Sequence, residues 1–146
     1  MPEPTEQENG LIRMELSQIR IDEKRGEQVI VLKEKNGARL LPIVIGILEA
    51  TAIKMEISGY QPPRPLTHDL LNSTIQGLSA SLKKIVVVKL EQNIFYAKLV
   101  LENAAGKMIE VDARPSDSIA LAVRAKSPIY VARSVLDQVS MREPDN

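Results

Sequence analysis

The sequence predicts a single α+β domain built on one large, mostly antiparallel or mixed β-sheet with three to four helices. Three observations lead there. Asn36-Gly37 separates two β-rich runs, and three alternating runs follow one another between Lys84 and Asp112 with no helix between them. The helical segments also interrupt the strands without the strict strand-helix-strand alternation of a parallel sheet. The domain is expected over residues 11–140, between a disordered, charged tail at 1–10 and a short tail at 141–146.

Each element has its own signal. Ile12, Met14 and Leu16 alternate with Arg13, Glu15 and Ser17, and Ile19 and Ile21 resume the alternation out of phase, so a strand with a bulge near Gln18 is expected. Val29 to Lys35 and Ala38 to Ile45 flank Asn36-Gly37, which predicts a hairpin whose two turn residues have positive φ. Ile47 to Ser58 has helical spacing and stops at Gly59, with Glu49 and Glu56 two turns apart on one face. Tyr60 to Pro65 is too rich in proline for helix and reads as a positioned loop. Thr67 is the expected cap of a helix running to about Ser81, with Leu66 and Leu71 as a hydrophobic staple and Gly77 as a weak point. Lys84–Leu90, Ile94–Leu101 and the strand leading to Asp112 form an antiparallel meander.

Met108, Glu110, Asp112 and Arg114 alternate with Ile109, Val111 and Ala113, which places Glu110 and Asp112 on one wet face. Pro115 ends this strand, and Ser116 and Asp117 suit a helix N-terminus that leads into the apolar run Ile119 to Val123. Ile129 to Ala132 is a short strand, and Ser134 with Asp137 opens a last short helix.

Composition closes several routes. The 146 residues carry 19 basic and 19 acidic side chains, so no overall charge draws the chain to nucleic acid. Three Tyr, one Phe and no Trp leave few platforms for stacking bases. The absence of Cys removes disulfides, thiolate catalysis and zinc–thiolate sites. No secretory signal and no long apolar run is visible, so a cytoplasmic protein without a membrane span is expected. Walker, GxGxxG and GxSxG motifs and zinc-binding histidine pairs are also missing.

Chemistry is concentrated in RPLTHDLL (64–71) and DARPSD (112–117). His68 is the sole histidine, hence the only imidazole base or ligand, although a histidine at a helix start also serves as a plain surface residue. Asp69 and Asp117 occupy first turns, where capping alone explains an Asp. Asp112 suits a strand poorly and lies beside Glu110 and Arg114. Carboxylates gathered at a strand end and nearby helix starts could hold Mg²⁺ or Mn²⁺. Arg64 and Arg114, each ahead of a proline, could grip a phosphate or pair with Asp69 and Asp112.

These two motifs, with LPIVIGILEATAI before them, resemble the bifunctional nuclease family over about residues 12–140. The resemblance implies cleavage of DNA and RNA, an α+β fold peculiar to the family, and self-association into a homo-oligomer. It maps onto Glu49 in one motif, onto Arg64, Thr67, His68 and Asp69 in the second, and onto Asp112, Arg114, Ser116 and Asp117 in the third. Ser118 stands where an alanine is expected. The resulting expectation is a phosphodiesterase assisted by a divalent cation. Asp112, Asp117 and Glu49 would hold Mg²⁺ or Mn²⁺, His68 would move a proton, and Arg64 or Arg114 would steady the phosphate, with Thr67, Asp69 and Ser116 in support. Contact with nucleic acid would be weak and indifferent to sequence. The rivals are a non-enzymatic oligomeric binding module, in which the Arg–Pro–Asp motifs are structural ion pairs, and a binder of an anionic small molecule at the helix mouths.

Overall fold

The computed structural model describes residues 10–22, 24–139 and 141–142; most of both expected tails, 1–9 and 143–146, lies outside the described residues. The described residues form the expected α+β domain. Its strands are β1 (Leu11–Asp22), β2 (Glu27–Glu34), β3 (Arg39–Ile45), β4 (Ser81–Glu91), β5 (Ile94–Glu102), β6 (Met108–Ala113), β7 (Ile129–Ala132) and the two-residue β8 (Met141–Arg142). Four helices complete it: α1 (Ile47–Ile57), α2 (Thr67–Gly77), α3 (Pro115–Ala125) and α4 (Arg133–Val139). The sheet runs β6-β5-β4-β7-β1-β2-β3-β8 and is mixed, because β4 and β7 are parallel while the other neighbours are antiparallel.

Strand faces follow the two-residue period. Ile12 and Met14 of β1, Ile30 and Leu32 of β2, Ile85 and Val87 of β4 and Leu99 of β5 enter one core with apolar side chains of all four helices. The opposite face carries a smaller cluster of Val86, Val100 and Tyr130. Arg13 and Lys84 each lie 5.6 Å from the centre of the Tyr130 ring. Helix α3 is the centre of the packing. Its run Ile119-Ala120-Leu121-Ala122 is buried, and its two alanines allow close approach by neighbouring backbone. It packs against α1, α2, β4 and β5. No helix among the described residues is long and apolar enough to cross a membrane.

Several local expectations shift. The β1 bulge is found between Leu16 and Gln18, as the phase change indicated. Helix α2 ends at Gly77, short of the expected Ser81, because Ser79 turns left-handed (φ 62°) and the Ala80 amide closes the turn on the Ile75 carbonyl at 3.1 Å, so that β4 begins at Ser81. Next to the expected tails, Gly10 accepts a hydrogen bond from the Arg133 amide at 2.8 Å, and Met141–Arg142 pair with β3.

The hairpin at Asn36-Gly37 is present, but its turn is not the tight type expected. Neither residue has positive φ, and the ladder closes at Lys33 opposite Leu40, leaving a wider loop. The tight turn joins β4 to β5 instead. Gln92 (φ 49°) and Asn93 (φ 64°) are both left-handed between the paired Glu91 and Ile94. Replacing Gln92 and Asn93 with Asn and Gly should therefore stabilise the fold by about 1 kcal/mol, read as a raised midpoint in urea denaturation.

Candidate active site

The first turns of α1, α2 and α3 meet at one cleft of about 990 Å³. Pro115 at N1 of α3 dictates much of this. It holds Arg114 extended at the N-cap (φ −72°, ψ 146°), and the Arg114 carbonyl accepts from the Ser118 amide at 3.0 Å and from its hydroxyl at 2.9 Å. The Arg114 side chain is thereby aimed across the helix mouths. Its Nη2 lies 2.8 Å from Glu49 Oε1 of α1 and 2.8 Å from Asp117 Oδ2 of α3, while its Nε donates to Asp117 Oδ2 at 2.9 Å. The hydrogen bonds to Asp117 first, and then Glu49, raise the Arg114 pKa, so the guanidinium remains charged.

Asp117 is shared. Its other oxygen, Oδ1, lies 3.1 Å from Nε2 of His68, whose side chain is 10% exposed at the second position of α2. His68, Asp117, Arg114 and Glu49 thus form one connected group at the polar end of a cleft whose remaining wall includes Leu48, Met55, Leu71 and Val111. Gly46, the N-cap of α1, lies against the Glu49 carboxylate, whose tip would have to shift to admit a Cβ there.

A second cluster holds the helices in place. Arg124, at the end of α3, has a side chain only 5% exposed. It donates to Asp69 Oδ1 at 2.6 Å, to the Ala52 carbonyl of α1 at 3.2 Å and to the Ala120 carbonyl at 3.4 Å. Asp69 also accepts the Leu66 amide at 3.0 Å. Leu66 rather than Thr67 is consequently the N-cap of α2, and Asp69 at N3 satisfies its amide. Burial raises the Asp69 carboxyl, but the Leu66 amide and Arg124 outweigh it and hold the pKa below the ordinary carboxylate value. Arg124 was missed as a functional residue in the sequence. Its one signal there is that it lies seven residues after Asp117, two turns along the same helix face.

The remaining expected residues stand at different distances from this group. Thr67 lines the cleft as the first residue of α2, without a capping hydrogen bond. Asp112 also lines the cleft, although the register sets it opposite Lys98, on the sheet face turned away from Val111 and Leu99. Ser116 is buried beside a smaller neighbouring cavity of about 480 Å³, which Arg114 also lines. Arg64 is exposed and lines neither cavity, and Glu56 likewise stays outside both.

Of the carboxylates expected to hold Mg²⁺ or Mn²⁺, Glu49 and Asp117 meet at Arg114, and Asp112 is not grouped with them. Among the described residues no three His, Cys, Asp or Glu side chains are grouped to hold a metal. Glu49 and Asp117 do converge, but on the guanidinium of Arg114, and both Asp117 oxygens have protein partners. Asp112 fails to join them because alternation along β6 sends it to the other face.

Comparison with known proteins agrees with the two motifs. The family described as the bifunctional nuclease domain matches residues 30–144. An uncharacterized protein of Mycobacterium tuberculosis is 46% identical over 127 residues, covering 87% of this chain and 75% of its own. A protein named bifunctional nuclease 2 in Oryza sativa subsp. japonica is 30% identical over 118 residues, and one named bifunctional nuclease 1 in Arabidopsis thaliana is 28% identical over 116. The match spans 79% and 77% of this chain respectively, but only 36% of each plant protein.

The Asp69–Arg124 pair makes a pH-dependent contribution whose sign is defined. Because the folded pKa of Asp69 is lowered, the unfolded chain takes up the proton first; the contribution is complete above about pH 4 and is lost as pH falls through the folded value. Asp69→Asn should cost about 1–3 kcal/mol at neutral pH by urea denaturation. Its stability should fall less than that of the wild type as pH drops below about 4.

Proposed function

The chain belongs to the bifunctional nuclease domain family, and we propose that it is a phosphodiesterase that cuts DNA and RNA at the cleft where α1, α2 and α3 begin. One observation carries the reading: the His68–Asp117 pair at 3.1 Å lies in an open cleft, with the 67% exposed Arg114 on the same carboxylate. An ionised carboxylate only accepts hydrogen bonds, so His68 Nε2–H donates to Asp117 Oδ1 and, in the neutral ring, the lone pair is on Nδ1.

In the proposed reaction Nδ1 takes a proton from water as the water oxygen bonds to phosphorus. The P–O bond to one sugar oxygen then breaks, and the departing oxygen is protonated from solvent. Asp117 orients the imidazole and offsets the positive charge it gains. Arg114 faces the phosphate oxygens, whose negative charge needs a partner in the transition state. Glu49 positions Arg114, while Asp69 and Arg124 hold α2 so that His68 meets Asp117. Zero formal net charge and four aromatic residues support loose, sequence-indifferent contact with nucleic acid.

A second reading, an oligomeric binding module, is favoured by a different observation. Leu48, Leu71 and Val111 on the cleft wall are exposed, as are Met108 and Ile109 on the edge strand β6.

Single-turnover cleavage of labelled double-stranded DNA and single-stranded RNA in Mg²⁺ buffer separates the two. Asp117→Asn and His68→Gln, each checked for folding by circular dichroism, should lose about 100-fold or more in rate on both substrates, while Asp112→Asn keeps wild-type activity. Cleavage that survives in both folded variants, or that is absent from the wild type, would leave the binding module as the better account.

A further inference from the structure

We propose that Arg114 is a resident cation that occupies the position a divalent metal would take, so that the cleft works without one. The proposal rests on the nuclease reading for its catalytic meaning, but its geometry stands alone. One nitrogen, Nη2, lies 2.8 Å from Glu49 Oε1 and 2.8 Å from Asp117 Oδ2, the two carboxylates that approach each other in the cleft. A metal held by those oxygens would have to displace the guanidinium.

Displacement is unfavourable for three reasons. The cation is tethered, so its effective concentration at the carboxylates is high. Its backbone is held by Pro115 and by the Ser118 amide and hydroxyl on the Arg114 carbonyl, so the tether is short and directed. Asp117 also spends its second oxygen on His68, leaving few free lone pairs for an ion that wants about six oxygen ligands. The group Glu49, Asp117 and Arg114 carries a formal charge of −1 with His68 neutral, too little to hold a hydrated divalent ion strongly while the arginine remains. Arg114 is 67% exposed, so it can face a phosphate while keeping its carboxylate partners.

Removing the arginine should then uncover a metal site. Mn²⁺ binding is read without substrate, by the loss of the free-ion paramagnetic resonance signal on titration into the intact chain. Wild type should leave millimolar Mn²⁺ free. Arg114→Ala and Arg114→Met should each bind one ion per chain at least about tenfold more tightly, and adding Glu49→Gln should abolish that gain. Wild-type cleavage should persist in EDTA. Stoichiometric Mn²⁺ binding by the wild type that is lost in Asp117→Asn would overturn the proposal, as would two folded Arg114 variants that bind no better than wild type. Since binding is measured apart from cleavage, an inactive wild type would count against the nuclease reading only.

Discussion

The rest of the structure depends on how α3 is held. It is buried against the sheet on one side and against α1 and α2 on the other, and an arginine brackets each end. Arg114 reaches α1 through Glu49, and Arg124 reaches α1 through the Ala52 carbonyl and α2 through Asp69. Asp117 and Arg124 lie two turns apart on one face of α3, and the consecutive residues His68 and Asp69 engage them in turn. The first turn of α2 is therefore laid along α3 at two points, which fixes its rotation as well as its distance.

The two arginine clusters use the same chemistry to different ends because water reaches only one of them. Arg124 is enclosed, and three acceptors satisfy it; without Asp69 the two carbonyls would remain, but the buried positive charge would have lost its carboxylate. Arg114 is open to solvent, so its pairs with Glu49 and Asp117 are screened and add little to stability. A charged group that contributes little to folding while holding the one histidine's partner is better placed to meet a ligand than to support the fold. The distinction between scaffold and site thus lies in exposure rather than in residue type.

Much of the architecture was legible in the chain. The β1 bulge, the β4–β6 meander and the strand at Ile129–Ala132 all followed from alternation, which is a local property set by which residues can face a core. Turn geometry was less so. Asn36-Gly37 has the intrinsic preference for a tight turn, yet the left-handed pair is Gln92-Asn93, where the short Glu91–Ile94 closure leaves no alternative. Strand pairing across the sheet imposes such closures, and intrinsic preference yields to them. Helix α2 likewise stopped at Gly77 through a left-handed residue that is not a glycine, Ser79, ahead of β4.

By itself the sequence determined the α+β class, the strands and helices near their observed limits, the family, and His68, Arg114 and Asp117 as residues worth attention. These are consequences of periodicity, proline placement and motif identity, all of which act over a few residues. Only the tertiary structure decided the partners. It joined Asp117 to His68 and to Arg114, brought Glu49 in from 65 residues away, turned Asp112 to the opposite sheet face and set Arg64 apart. It also raised Arg124 from an ordinary helix residue to the link between three helices. The physical reason is that a charge pair is defined by distance in space, and the distances here are set by the packing of α1, α2 and α3 on a sheet whose strand order no local pattern specifies.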